Sequence, residues 1–218
     1  QVIYRDVQTA DGTAASTPNQ PAGTIVTSYS YDVLGRMTAM TDANGYTTQY
    51  TYDVLGNLTG VVNPDGTRTS YVKDYVNNIL TYSDENNNQT RYTYTPLGLP
   101  QDVIDVQTGN VLSRREYDSM SRLIRLTDYV YGSITEYTYD GYGNVNSETV
   151  LQGNTVLSRT TWIYNEPTAD GQYLRNTKTV HGDSNTPDIV TTEYRDIYGN
   201  VAKTGRIIDG TEYFDTYT

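Results

Sequence analysis

The sequence predicts an all-β chain, an antiparallel meander of about nine hairpins, and three observations carry that prediction. The phrase "YSYDVLGRM", Tyr29 to Met37, returns as "YTYDVLGNL", Tyr50 to Leu58, and worn copies follow at a spacing near 21 residues as far as Phe214. Of 218 residues 23 are Tyr, against one Phe and one Trp, so the aromatic surface has high strand propensity and is amphipathic nearly throughout. No stretch shows the 3.6-residue apolar stripe with caps that an amphipathic helix needs.

Taken in order, an opening strand is expected from Val2 to Val7, followed by "DGTAASTPNQPAG", Asp11 to Gly23, whose Pro, Ser and Thr content marks an exposed loop. The repeats then share a register position held by Asp32, Asp53, Asp74, Thr95, Asp118, Asp140, Asn165, Asp196 and Asp215. Before it stands Tyr-x-Tyr, a period-two pattern that puts two rings on one face of a strand. Three residues after it stand Gly35, Gly56, Gly98, Gly143 and Gly199, with Asn77 and Ser121 as worn versions. Asp-x-x-Gly reads as a tight reversal: the carboxylate accepts from backbone N–H groups further on, and Gly takes the left-handed conformation that closes the turn. Asp32, Gly35, Asp53, Gly56, Asp140, Gly143, Asp196 and Gly199 are therefore assigned to turns. A polar and an apolar residue start the returning strand.

A second turn ends that strand at Asn44-Gly45, Asp65-Gly66, Asn87-Asn88, Gly109-Asn110, Tyr131-Gly132, Gly153-Asn154 and Asp209-Gly210. Two short strands and two turns fill one period, so each repeat is one hairpin and residues 1–218 form a single repeat segment. The rhythm breaks between 165 and 187, where "NEPTADG" and "HGDSNTPD" read as elaborated turns around a retained strand, "YLRNTKTV". The outer strands near Val2 to Val7 and Ile207 to Phe214 are expected as edges that pair with another part of a longer protein, of which a chain opening at Gln1 would be an excised piece.

A formal net charge of −11 with scattered basic residues argues against a nucleic-acid partner and against an anionic membrane surface. No apolar run is long enough to span a bilayer as a helix. The absence of Cys removes disulfides and thiolate chemistry. Abundant Thr, Asn, Gly and Tyr point to a secreted or bacterial cell-surface location.

The phrases "YSYDVLGRM", "NGYTTQYTYDVLGNL" and "PDGTRTSY" resemble the YD repeats of the Rhs family. That family includes bacterial polymorphic toxins, the BC component of insecticidal Tc toxins, wall-associated surface proteins and, more distantly, teneurins. The resemblance runs from Tyr29 to Phe214. It implies a curved or spiralling sheet, one segment of an Rhs-type β-shell, with the rest of the parent shell or an encapsulated effector domain as partner. The function implied is structural and non-enzymatic.

Other chemistry is weighed residue by residue. Calcium would need several oxygens in one loop, and each turn offers one carboxylate, so no metal is assigned. The repeat tyrosines read as cross-strand packing. Tyr46, Tyr129, Tyr131, Tyr142, Tyr173 and Tyr198 lie outside the repeat and are the candidate ligand residues, a polysaccharide being the ligand that suits them. An adhesin or carbohydrate-binding array is therefore the alternative function, and a glycan-active enzyme the third. His181, the sole histidine, falls in "VHGDSN" and reads as an exposed loop residue. "GYGN", Gly141 to Asn144, is a turn of the repeat and no phosphate loop. No catalytic residue and no cofactor are assigned.

Overall fold

The computed structural model describes residues 27–182, 186–208 and 210–216. The strand expected at Val2 to Val7 and the loop at Asp11 to Gly23 lie outside the described residues. Seventeen strands run through the described residues, without a helix, and every pairing with an assigned register is antiparallel and joins sequence neighbours. The chain is an all-β antiparallel meander, divided into two compact units.

The first unit comprises Gln1–Tyr94 and Val103–Asn110. It holds β1 (Ser28–Tyr31), β2 (Met37–Thr41), β3 (Thr47–Tyr52), β4 (Leu58–Val62), β5 (Arg68–Lys73), β6 (Ile79–Ser83), β7 (Gln89–Tyr94) and the last residues of β8 (Pro100–Asp105). Its reversals from Asp32 to Asp84 share one geometry, and the one at Asp105 is a residue longer, closing on Asn110. The N–H of Asp32 donates to the carbonyl of Arg36 and that of Gly35 to the carbonyl of Asp32, both at 2.9 Å, and the same pair of bonds recurs at Asp53 and Asp74.

The second turn of the first three repeats is built in the same way, which the sequence reading did not anticipate. Asp42, Asn63 and Asp84 make the same two backbone bonds, so from Asp32 to Asp84 the reversal recurs every 10 or 11 residues, at both ends of each strand from β2 to β6. The turn expected at Asn87-Asn88 is framed by Asp84 and Asn88 instead. Its fourth residue, Asn87, is left-handed (φ 63), as is Asn77 (φ 70) in the place of glycine. Asparagine tolerates that region because its short amide bonds locally.

The second unit comprises Thr95–Asp102 and Val111–Thr218. It holds the start of β8 and β9 (Val111–Tyr117), β10 (Leu123–Asp128), β11 (Ser133–Tyr139), β12 (Val145–Gln152), β13 (Thr155–Pro167), β14 (Leu174–His181), β15 (Ile189–Arg195), β16 (Val201–Ile208) and β17 (Thr211–Thr216). Here the expected elaboration at Asn165 takes another form. β13 runs on through Pro167, with a bulge where Asn165 turns left-handed (φ 58) between the pairs Ile163↔Thr177 and Glu166↔Arg175. The chain reverses at Thr168, whose carbonyl accepts from Gly171 N–H at 2.8 Å. Strand pairing with β14 absorbs the extra residues as length plus a bulge.

Burial is shallow because, among the described residues, strand contacts within each unit involve sequence neighbours only. Ile104 and Tyr194 are the buried hydrophobic side chains among the described residues. Stability must come from ladder hydrogen bonds, turn bonds and cross-strand side-chain pairs.

Candidate functional site

The aspartates act on their own turns. Asp32 Oδ1 accepts from the N–H groups of Leu34 and Arg36, both at 2.9 Å, and Oδ2 accepts from Arg36 Nε at 2.6 Å. Asp53 repeats this with Leu55 and Asn57, Asp140 with Tyr142 and Asn144, and Asp196 with Tyr198 and Asn200. The recurrent Arg or Asn after the glycine thus has a partner, the second oxygen of the carboxylate. These bonds hold the carboxyls below their ordinary range, through the Arg36 backbone N–H first at Asp32 and the Asn57 side-chain amide first at Asp53. Both oxygens are spent on the turn. Gly35, Gly56, Gly143 and Gly199 all take positive φ.

In four repeats the second tyrosine of the pair ties its strand to the preceding hairpin. Tyr52 Oη donates to Met37 O at 2.8 Å, Tyr94 to Ile79 O at 2.8 Å, Tyr139 to Leu123 O at 2.6 Å and Tyr164 to Val145 O at 2.9 Å. In all four the ladder stops two residues short of that carbonyl: the last pairs are Ala39↔Gln49, Thr81↔Arg91, Arg125↔Glu136 and Ser147↔Thr161. The hydroxyl takes over where the neighbouring backbone has splayed away, so the carbonyl is not left orphaned. At two sites an arginine covers the ring: Arg36 lies 4.9 Å from the Tyr52 centroid and Arg122 4.4 Å from that of Tyr139.

The tyrosines outside the repeat divide. Tyr46, Tyr129, Tyr131, Tyr142 and Tyr198 stand exposed in turns or beside them. Tyr173 instead packs edge-on against Tyr194, centroids 6.5 Å apart, in a cluster with Phe214. Lys203 Nζ sits 4.4 Å from the Tyr194 ring and 4.3 Å from that of Phe214. The Tyr194 hydroxyl donates to Glu212, its pKa pushed up by burial and then by that carboxylate. Gly205, opposite Thr192 and Phe214, leaves the room this cluster occupies.

His181 ends β14 rather than lying in a loop, since its pairing with Arg159 carries the strand that far. Its Nε2 is 2.9 Å from Thr161 Oγ1 and its Nδ1 3.0 Å from Asp188 Oδ2. Hydroxyl, imidazole and carboxylate stand in the order of a nucleophile and its base. Thr161 is mid-strand, however, paired on both sides with Ser147 and Thr179, so its backbone offers no spare N–H to a developing oxyanion. The arrangement ties β13 and β14 to the segment that leads into β15.

One face of the second unit carries a groove of about 730 Å³, which sequence reasoning missed. Its floor is a cross-strand row, Trp162 opposite Lys178, Lys178 opposite Thr191, Thr191 opposite Arg206, and Arg206 opposite Tyr213. A parallel row one step along the strands reads Asn176, Glu193, Thr204, Asp215. These residues are scattered over 54 positions of sequence, and only the register of the meander aligns them.

Hairpins linked by self-capped aspartate turns and tied to one another by tyrosine hydroxyls define a hairpin-repeat scaffold. Residues 9–47 and 35–68 match the family described as RHS Repeat. No curated protein matches the chain. Among solved structures, the Tc holotoxin pore of Photorhabdus luminescens is similar at 13% identity over 87% of this chain and 15% of that one, with a TM-score of 0.43. A TcdB2-TccC3 crystal structure is similar at 14% identity over 97% of this chain and 16% of that one, TM-score 0.42. A TcdB2-TccC3-Cdc42 crystal structure is similar at 15% identity over 88% and 14%, TM-score 0.40. The chain therefore spans less than a fifth of the length of these structures.

Proposed function

We propose that the chain is a non-enzymatic wall segment of a larger RHS-type shell, which encloses or displays another domain of a secreted or surface protein. The observation that carries this reading is the chemical difference between the two rims of the first unit. Turns at Asp32, Asp53 and Asp74 share one rim and present Val33-Leu34, Val54-Leu55 and Tyr75-Val76, all well over half exposed. Turns at Asp42, Asn63 and Asp84 share the other rim and present Ala43-Asn44, Pro64-Asp65 and Glu85-Asn86. The backbone geometry is the same, so the turn itself does not demand apolar residues.

Successive turns on one rim are two strands, or about 10 Å, apart. Six such side chains expose an area on the order of the ~800 Å² that one partner brings to a standard interface, more than a soluble monomer ordinarily leaves bare. An adjoining run of wall with the same hairpin period fits this row.

Sedimentation of the 218-residue chain tests the rim. Concentration-dependent association is expected, and the double substitution Val54→Asp with Leu55→Asp should abolish it at unchanged Tm. A wild-type chain that stays monomeric, or association that survives the substitution, overturns the seam. In the longer protein the same substitution should make an enclosed domain sensitive to protease. A domain digested as fast in the wild type overturns enclosure.

A further inference from the structure

The third hairpin, β5 and β6, departs from its neighbours on the face that carries the repeat tyrosines. In the register of the sheet the first tyrosine of a repeat stands opposite a residue of the returning strand: Tyr29 opposite Met40, Tyr50 opposite Val61 and Tyr137 opposite Glu148. In the third hairpin the residue opposite Tyr71 is Tyr82. The same hairpin has Lys73 at the station of Tyr52 and Tyr94, so the hydroxyl that ties β3 and β7 to the hairpins before them has no counterpart on β5. A pair of rings is present where a tie between hairpins is missing.

The two rings have centroids 5.3 Å apart and planes 33° from parallel. Both side chains rise from the same face of neighbouring strands, so the rings stack with their hydroxyl ends together and the carbons ortho to those hydroxyls close to one another. Lys73 Nζ lies 5.9 Å from the Tyr71 centroid, a cation–π contact that holds that ring in place. Tyr71 and Tyr82 are both partly exposed and open to an oxidant from solvent. The other two tyrosine rings in contact among the described residues, Tyr173 and Tyr194, meet edge-on at 86° and 6.5 Å, with the Tyr194 hydroxyl bonded to Glu212.

We infer that Tyr71 and Tyr82 form an oxidative modification site, at which a dityrosine bond staples β5 to β6. Each phenol gives one electron and its hydroxyl proton to a one-electron oxidant of the peroxidase class, and the two electrons and two protons reduce hydrogen peroxide to water. The unpaired spin of each phenoxyl spreads to its ortho carbons, and a carbon–carbon bond forms between one such carbon of each ring. The hydrogen on each joined carbon then passes through water to the oxygen of its own ring, which restores both phenols. The chain has lost two hydrogen atoms and gained one covalent link. Because the sheet already holds the rings in contact, coupling within this pair outruns coupling between tyrosines that must first meet. The staple closes the hairpin that lacks the hydroxyl tie.

The test treats the 218-residue chain carrying Tyr75→Phe with a haem peroxidase and hydrogen peroxide. That substitution removes an exposed tyrosine at the adjoining turn that could couple two copies, and it leaves one tyrosine in each of the tryptic peptides 69–73 and 74–91. Dityrosine fluorescence should appear in protein of monomer size, the intact chain should lose the mass of two hydrogen atoms, and trypsin should release 69–73 joined to 74–91. Adding Tyr82→Phe, which keeps the ring, should slow coupling within the monomer at least about tenfold, whereas Tyr92→Phe should leave it unchanged. Thermal melting of each variant checks that the sheet is intact. The stapled chain should also show a higher urea midpoint, because the link restricts the unfolded chain. Dityrosine confined to dimers, joined peptides that exclude 69–73, or undiminished coupling in folded monomer carrying Tyr82→Phe would each overturn the assignment.

Discussion

A tyrosine hydroxyl bonded to a carbonyl of the preceding hairpin does the work that a ladder bond does elsewhere, at the point where two strands have diverged. Tyr139→Phe keeps the ring and its contact with Arg122 and removes only the donor to Leu123 O. The expected loss is about 1 kcal/mol, read by urea denaturation, and a change below a few tenths would mean that water replaces the hydroxyl freely. Gly56 tests the turn in another way. It stands at φ +88 with only the end of Arg36 within 4 Å of a virtual Cβ, so a side chain there suffers from backbone conformation and from no clash. Gly56→Val should cost about 1–2 kcal/mol or more, and Gly56→Asn distinctly less, because asparagine already occupies the same station at Asn77. Equal losses would point to a cause other than φ. The aspartate and glycine of each turn were legible because their residue types are demanded by geometry. The tyrosine's acceptor was not, since a backbone carbonyl belongs to any residue and leaves no mark in the sequence. The role of Asn57 or Arg122 lay between: the polar position recurs visibly, but its partner is an oxygen four residues back that was already assigned to the backbone.

At the scale of the strand, the hairpin rhythm was readable wherever Asp-x-x-Gly survived and misplaced where it did not. Asn165 was aligned as a turn because Trp162 and Tyr164 precede it as two tyrosines would. The reversal instead waits for Thr168, whose hydroxyl and carbonyl serve the turn as Thr95 does in its own. Thr168 is 28 residues from Asp140 and 28 from Asp196, so a search for even spacing would have found it. The groove was illegible for a deeper reason. Which residues face each other across five strands depends on every bulge between them, and one slip of register sends a whole strand's side chains to the other face. Gly205 shows how tightly one strand's register is used. A Cβ there would come within 2.5 Å of Thr192 Oγ1 and 2.9 Å of Glu212 Oε1. Gly205→Ala should therefore cost about 1–3 kcal/mol by overpacking and disturb the aromatic cluster, visible in near-ultraviolet circular dichroism. Gly141, where a Cβ meets nothing within 4 Å and φ is not positive, is the control, and its alanine variant should be neutral or slightly stabilising.

For the whole molecule, two electrostatic effects oppose each other as pH falls. The chain carries a net charge of −11, so protonating carboxylates first relieves repulsion and favours the folded state. The turn aspartates pull the other way. Asp32, Asp53, Asp74, Asp84, Asp118, Asp140 and Asp196 all have lowered pKa values, each because its own turn's N–H groups and its Asn or Arg neighbour bond the charged form; at Asp74 partial burial works against these bonds and is outweighed. A carboxylate whose folded pKa lies below its unfolded value of about 3.9 contributes stability that is complete above that value and is lost as pH falls through the lowered folded one. Repulsion is spread over the surface and screened by salt, whereas the turn bonds are short and recur in every hairpin, so the turn effect dominates once these groups begin to take protons. Stability should therefore change gently from neutral pH down to about 5, then fall steeply below about 4. The urea midpoint measured against pH should show that shape in moderate salt. Asp53→Asn, which cannot gain charge-assisted bonds, should lower the midpoint at neutral pH and flatten the acid limb. An acid limb as steep in Asp53→Asn combined with Asp140→Asn as in the wild type would show that the lost stability resides outside the turns.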